Sequence, residues 1–234
     1  MFKKRLEEGL EQLKEYTLAA AAPGSRAVFV PWSEAKRAPY IELLRNNMYI
    51  ADHVLVSIGQ AFLQSEKKGL KYKKFFMQFA KEEVGHEEMA KADLKVLGVE
   101  DPMPQEWRPH PLMSAVIAHA EMMVRINPIS YTGALYALES IGASLVKYHE
   151  EAGHWGYPDN AICWLKVHAN VNVGHAEFMK KYAFEFAKSE SDVTDILHAG
   201  FTMAKLYTSY LNEVIMGTQP YAVSEPKNKT KFSA

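Results

Sequence analysis

Apolar residues recur at helical spacing along nearly the whole chain. Phe2, Leu6, Leu10 and Leu13 form a stripe, with Glu7, Glu8, Glu11 and Glu15 between them, so the chain opens on an amphipathic helix. The same interleaving breaks up any signal-peptide core, although MFKKRLEE is basic and LAAAAPGS offers small residues where cleavage would fall. Pro23, Gly24 and Pro31 predict a loop, with Val28, Phe29, Val30 and Trp32 packed back on the body of the protein. A second helix is expected from near Pro39, tolerated in a first turn, through Leu63. Lys67 to Gly69 interrupts the pattern. The third helix is predicted over residues 70 to 97, stopped by Gly98 as a left-handed cap, and Pro102, Pro104 and Pro109 then forbid regular helix. A fourth covers Leu112 to Ile126. Asn127 and Pro128 read as the cap and first turn of a fifth that lasts until about Ala152. GHWGYPDN reads as a turn, Asp159 or Asn160 as the cap of a sixth helix, and Ser189 or Ser191 as the cap of a seventh through Ile215. No stretch reads as a strand pair. The pattern predicts an all-α, single-domain bundle of about seven helices over residues 1–217, followed by a polar tail over 218–234.

Composition narrows the functions open to such a bundle. At 234 residues and 48% hydrophobic content a sizeable core can be buried. A formal net charge of −1, with acids and bases mixed throughout, gives no electrostatic case for nucleic acid or for an anionic membrane surface. The single cysteine, Cys163, excludes an intrachain disulfide and suits a reducing compartment. No apolar run approaches the ~20 residues that span a bilayer. A soluble, cytoplasmic protein is therefore expected.

Three helical stretches carry candidate chemistry. In the sixth helix His168, Asn172 and His175 stand as HxxxNxxH, and at about 100° per residue they fall within roughly 60° of one another. In EEVGHEEMAKADLKVLG, Glu83 and His86 are one turn apart, with Glu82 able to replace Glu83 at the i, i+4 spacing. Glu139 is a lone carboxylate inside ALYALESIGASL. Carboxylates and imidazoles on facing helices are what an O2-handling iron or manganese site requires. The blander readings are ordinary. With nine histidines and 28 acids an ExxH arises by chance, EEVGHEEMAK can be a solvated face, and interface histidines are common. Glu139 resists that treatment. A carboxylate amid Leu138, Ile141 and Leu145 costs several kcal/mol to bury unless a cation, proton or metal accompanies it.

Together these segments resemble a known superfamily. EEVGHEEMAKADLKVLG is similar to the EExGHxxxxxxDLxxLG segment of the haem-oxygenase-like iron-containing oxidases, a superfamily that includes CADD-type, thiaminase-II-type (TenA) and PqqC-type proteins. LESIG around Glu139 resembles its mid-chain carboxylate, and HxxxNxxH its HxxxDxxH motif, so the resemblance spans about residues 40 to 215. It implies Glu83, His86, Glu139, His168, Asn172 and His175 as metal ligands, with Glu82 as the alternate. Asn172 stands where the motif has aspartate, and an amide brings no negative charge, which weakens one subsite of a two-metal centre.

The resemblance implies a non-haem iron enzyme, mono- or dinuclear with manganese as the alternative metal, that uses O2 to oxidise a small organic substrate such as an amine or carboxylic acid. A second implied reading is a metal-free, thiaminase-II-like aminopyrimidine hydrolase with Glu213 as catalytic residue, although that family's cysteine has no counterpart. A third is a CADD-like interaction protein. A haem oxygenase in the strict sense is not expected from the resemblance, because no histidine precedes His53 to serve as that family's N-terminal axial ligand. A homodimer is expected from the resemblance alone. Around the site, Tyr131, Tyr136, Tyr148, Tyr207 and Tyr210 are candidate cavity residues, and Arg45, Arg125 and Lys147 candidate carboxylate binders. His53, Asp52 and Asp93 are candidates for hydrogen bonding to ligand histidines.

Overall fold

The computed structural model describes residues 1–28, 33–65, 70–144 and 161–216, with residues 26, 28, 34, 70, 71, 144, 169–173 and 216 described by their backbone alone. The described residues form eight α-helices and no strand: α1 (Phe2–Val28), α2 (Glu34–Gln64), α3 (Leu70–Glu83), α4 (His86–Val96), α5 (Pro111–Ile126), α6 (Tyr131–Ser144), α7 (Cys163–Phe186) and α8 (Glu190–Met216). The all-α bundle expected from the sequence is thus the fold. Residues 29–32, 66–69, 145–160 and 217–234 lie outside the described residues, and with them Phe29, Val30 and Trp32 of the expected packed-back loop, the Lys67 to Gly69 break, Lys147, Tyr148, the GHWGYPDN turn, the Asp159 or Asn160 cap and the tail.

α6 is the axis. It packs against α1, α7 and α8, while α2 joins α3, α4, α5 and α8 on the other side of the core. Its Tyr131, Ala134, Leu135, Tyr136, Ala137 and Ile141 are all buried. Its buried hydroxyls bond back to the helix rather than remain unsatisfied: Thr132 Oγ1 donates to Ile129 O at 2.7 Å and Ser140 Oγ to Tyr136 O at 2.7 Å. Two glycines set how closely α8 approaches. A Cβ on Gly133 would collide with the backbone carbonyl of Ile196, and one on Gly200 would meet Leu13 and the Gly133 carbonyl. The stripe Leu6, Leu10 and Leu13 that marked α1 in the sequence is fully buried.

Three boundaries differ from the sequence reading, each for a physical reason. α1 runs through Pro23 instead of stopping there. A proline disrupts the hydrogen bonding of the turn before it, and the side-chain amide of Asn212 on α8 fills in: its Oδ1 accepts from Gly24 N at 2.8 Å and its Nδ2 donates to Ala20 O at 3.1 Å. α2 starts at Glu34, so Pro39 lies inside it and costs one hydrogen bond without diverting the helix. The predicted third helix is two, α3 and α4, separated at Gly85 with φ +95°. Only glycine adopts that conformation without strain.

Elsewhere the punctuation acts as read. Gly98, at φ +76°, ends α4 in a Schellman motif, with Gly98 N bonded to Lys95 O at 3.0 Å and Val99 N to Leu94 O at 3.0 Å. Ser189 caps α8, its Oγ accepting from Asp192 N at 3.1 Å while Asp192 Oδ2 accepts from Lys188 N at 2.9 Å. Asn127 precedes a short 3-10 turn, Pro128–Ser130, and makes no side-chain cap; its Nδ2 donates to Asp195 instead. Among the described residues no helix is long and apolar enough to cross a membrane.

Candidate metal centre

Four helices deliver the candidate ligands to one place. Glu83 is the last residue of α3 and His86 the first of α4, so the Gly85 joint sits between them and turns both side chains into the bundle. α6 contributes Glu139 and α7 contributes His168 and His175. Glu83, Glu139 and His175 each offer a donor atom within 4.8 Å of the others. His175 Nδ1 is 3.7 Å from Glu83 Oε1 and 3.4 Å from Glu139 Oε2.

Two of these atoms are buried but unsatisfied. Glu83 Oε1 and His175 Nδ1 have no well-aligned hydrogen-bond partner among the described residues. An orphaned carboxylate oxygen facing an orphaned imidazole nitrogen requires an explanation. Donors about 2.1 Å from a first-row metal stand roughly 3–4 Å apart, the separation found here. The residues fit a divalent cation.

His86 and His168 flank this trio. His86 Nδ1 is 3.0 Å from Glu83 Oε2, so it holds the carboxylate in place. Its ring lies edge-on to His168 with centroids 4.7 Å apart. His168 Nδ1 donates to Trp164 O at 2.8 Å, which leaves the Nε2 lone pair available, and its ring stacks on Trp164 at 4.0 Å. Glu82 is exposed; one of its oxygens is 3.3 Å from His175 Nε2, and it also accepts from Gln78. Adjacent residues on α3 stand about 100° apart, and the face of α3 that packs inward carries Glu83 rather than Glu82. The side chain of Asn172 lies outside the described residues.

The electrostatics follow from this crowding. Burial pushes Glu139 up to about 7, with Glu83 adding to the rise and His175 and His86 opposing it. Burial drives His168 down to about 4, with His86 contributing. Burial also works against a charge on His175, yet Glu139, Glu83 and Glu82 together raise it.

A cavity adjoins the cluster. Glu83, His86, Glu139 and His168 line one part, and the remainder is mainly aliphatic, with Asn47 on α2 and Tyr207 on α8 as further polar residues. Of the other candidates, Tyr207 lines this cavity, whereas Tyr136 and Tyr210 are core residues and Tyr131 lines a smaller neighbouring pocket. Arg45 donates to Pro102 O and Arg125 pairs with Glu121, so neither lines the cavity. Asp52 is exposed, and His53 packs edge-on against Tyr49. Among the described residues Asp93 bonds to no histidine; it caps α7 through the backbone N–H groups of Cys163 and Trp164. Glu213 lies 3.6 Å from His110 and is not among the residues lining the cavity. Asn47 and Trp164 were missed in the sequence, although an amide among Leu43, Leu44, Met48 and Ile50 is as conspicuous as the carboxylate of Glu139.

Comparison with known proteins agrees with this architecture. Residues 57–208 match the family described as iron-containing redox enzymes, and the chain belongs to that family. A domain of unknown function with a haem oxygenase-like fold from Shewanella denitrificans superposes with a TM-score of 0.76 at 20% identity, covering 92% of this chain and 93% of its own. A TenA homologue from Pseudomonas syringae pv. tomato gives 0.72 at 11% identity, covering 92% and 93%. A CADD-like protein of unknown function from Nostoc punctiforme gives 0.66 at 14% identity, covering 92% and 98%. At these identities the three establish the haem oxygenase-like fold. No curated protein matches the sequence.

Proposed function

We propose that this chain is a non-haem iron enzyme that uses O2 to oxidise or oxygenate a small organic molecule. The observation that carries the reading is the buried pair Glu83 Oε1 and His175 Nδ1, 3.7 Å apart with neither in a well-aligned hydrogen bond among the described residues, and Glu139 Oε2 3.4 Å from the same imidazole nitrogen. Membership of the iron-containing redox family supports it. Glu83, Glu139 and His175 would hold the metal, with His86 and His168 beside them. Iron held there would bind and activate O2, which is itself the oxidant, with the electrons drawn from the substrate.

The protein's own part is positional and electrostatic. His86 fixes Glu83 through its Nδ1 contact, and Trp164 O fixes the tautomer of His168. The aliphatic cavity wall keeps water from the reacting atoms and strengthens every charge interaction inside. Two buried carboxylates stabilise the more oxidised metal. A deciding experiment is anaerobic Fe(II) loading followed by O2 consumption. Iron bound at one or two per chain, with O2 taken up only by the loaded protein, supports the reading. Aminopyrimidine hydrolysis unaffected by chelators would favour the hydrolase instead.

A further inference from the structure

Asn47 is 1% exposed, sits on α2 in the wall of the cavity, and has an amide that is only half satisfied. Its Oδ1 accepts from the Tyr207 hydroxyl at 2.6 Å, while its Nδ2 has no partner among the described residues. A second wall residue repeats the pattern. Trp164 is buried and its indole N–H is also without a partner. Both free groups are donors, and an indole N–H has no other role open to it. Buried donors of this kind are rarely left unmatched in a folded protein.

What surrounds them is apolar. On α2 the lining residues Leu43, Ile50, Ala51 and Val54 flank Asn47, and Leu135, Leu138 and Leu211 face them from α6 and α8. Leu43 to Val54 spans roughly 16 Å of helix rise, so the wall is elongated. Among the described residues no lysine or arginine lines the cavity. In the metal-free chain a carboxylate or phosphate placed beside Asn47 would lose its hydration without meeting a lysine or arginine among the described lining residues. An uncharged oxygen would not.

We propose that Asn47, oriented by Tyr207, anchors the substrate, and that the substrate is a mainly aliphatic molecule carrying an uncharged oxygen acceptor, a carbonyl or a hydroxyl. Asn47 donates to that oxygen and the aliphatic wall sheathes the chain. Asn47 is a binding residue and Tyr207 a positioning residue, since the hydroxyl of Tyr207 is already given to the amide. The inference rests on the proposed function only in taking this cavity as the substrate chamber.

The test uses iron-free protein and two probes of equal length, octanamide and octanoate, titrated by calorimetry at pH 7.5. Octanamide should bind saturably and at least about tenfold more tightly than octanoate. N47L, which keeps the volume and removes the donor, should weaken octanamide at least about tenfold and abolish the preference. Y207F should weaken it severalfold by freeing the amide to turn. Octanoate binding as tightly as octanamide, no binding of either, or N47L within twofold of the parent would overturn the proposal. The probe ranking in the unmutated protein decides the matter even if N47L does not fold. Because no iron is present, failure here leaves the iron reading intact, and failure to load iron leaves this inference intact.

Discussion

Asp93 accepts the backbone N–H of Trp164 at 2.9 Å through one carboxylate oxygen and that of Cys163 at 3.0 Å through the other. Asp93 belongs to α4, which begins at His86, and the N–H groups it holds open α7, which carries His168 and His175. One fully buried carboxylate thus ties together two of the helices that deliver the site. D93A leaves both N–H groups unpaired at the positive end of the helix and should cost about 1–2 kcal/mol of stability. Divalent-metal affinity should fall with it, although Asp93 touches no ligand. Thermal denaturation and Mn(II) titration of D93A check both; unchanged affinity would show that α7 is held elsewhere.

Glu139 is predicted to oppose folding when the metal is absent. Burial raises it to about 7, so above that pH the folded chain carries a carboxylate that the unfolded chain ionises far more easily. E139Q, uncharged and of the same shape, should be on the order of 1–3 kcal/mol more stable than the parent at pH 8 without metal. It should also lose metal affinity by more than about 100-fold, because even an outer-shell partner is worth 10–100-fold. Opposite signs in the two measurements distinguish a ligand from a structural carboxylate.

The pH dependence of metal binding has a definite sign. In the metal-free chain Glu139 holds its proton up to about 7, and His175 holds its proton to higher pH than a free histidine. A divalent cation must displace those protons, so affinity should rise from pH 6 to pH 8 by about one order per displaced proton per pH unit, then level off. Mn(II) titrations at three pH values measure it. A flat profile would place the cation away from Glu139 and His175.

Much of this was legible in the sequence because helical periodicity acts over a few residues. The stripe joining His168 and His175, the carboxylate of Glu139 in an apolar run, the stop at Gly98 and the helix start at Ser189 all follow from spacing and local chemistry. What escaped depends on partners far along the chain. α1 continues past Pro23 because Asn212 supplies its amide, and no local signal in LAAAAPGS announces that. The break at Gly85 hides within EEVGHEEM, whose charge pattern suits an unbroken helix, and only the packing of α3 decides that Glu83 points inward while Glu82, about 100° round the same helix, is exposed. Asp93 was read as a partner for histidine, when the group it serves is the backbone of the helix that bears them.

Two glycines in helices should respond in opposite directions to alanine. At Gly133 a methyl group meets the backbone of Ile196, which cannot yield without separating α6 from α8, so G133A should cost roughly 2–4 kcal/mol. At Gly59 in α2 nothing lies within 4 Å of the added carbon, and G59A should gain about 0.5–1 kcal/mol from helix propensity. Chemical denaturation of the two variants measures both. Destabilisation by G59A would indicate that this face of α2 is covered.

The most direct measurement is anaerobic titration of Fe(II) into the metal-free protein and into its E83Q variant, followed by mixing with O2 under absorbance detection. The parent should bind one or two irons per chain and change absorbance on meeting O2, while E83Q binds weakly and stays unchanged. No iron retained by the parent, or equal retention by E83Q, would contradict a metal centre built on Glu83, Glu139 and His175.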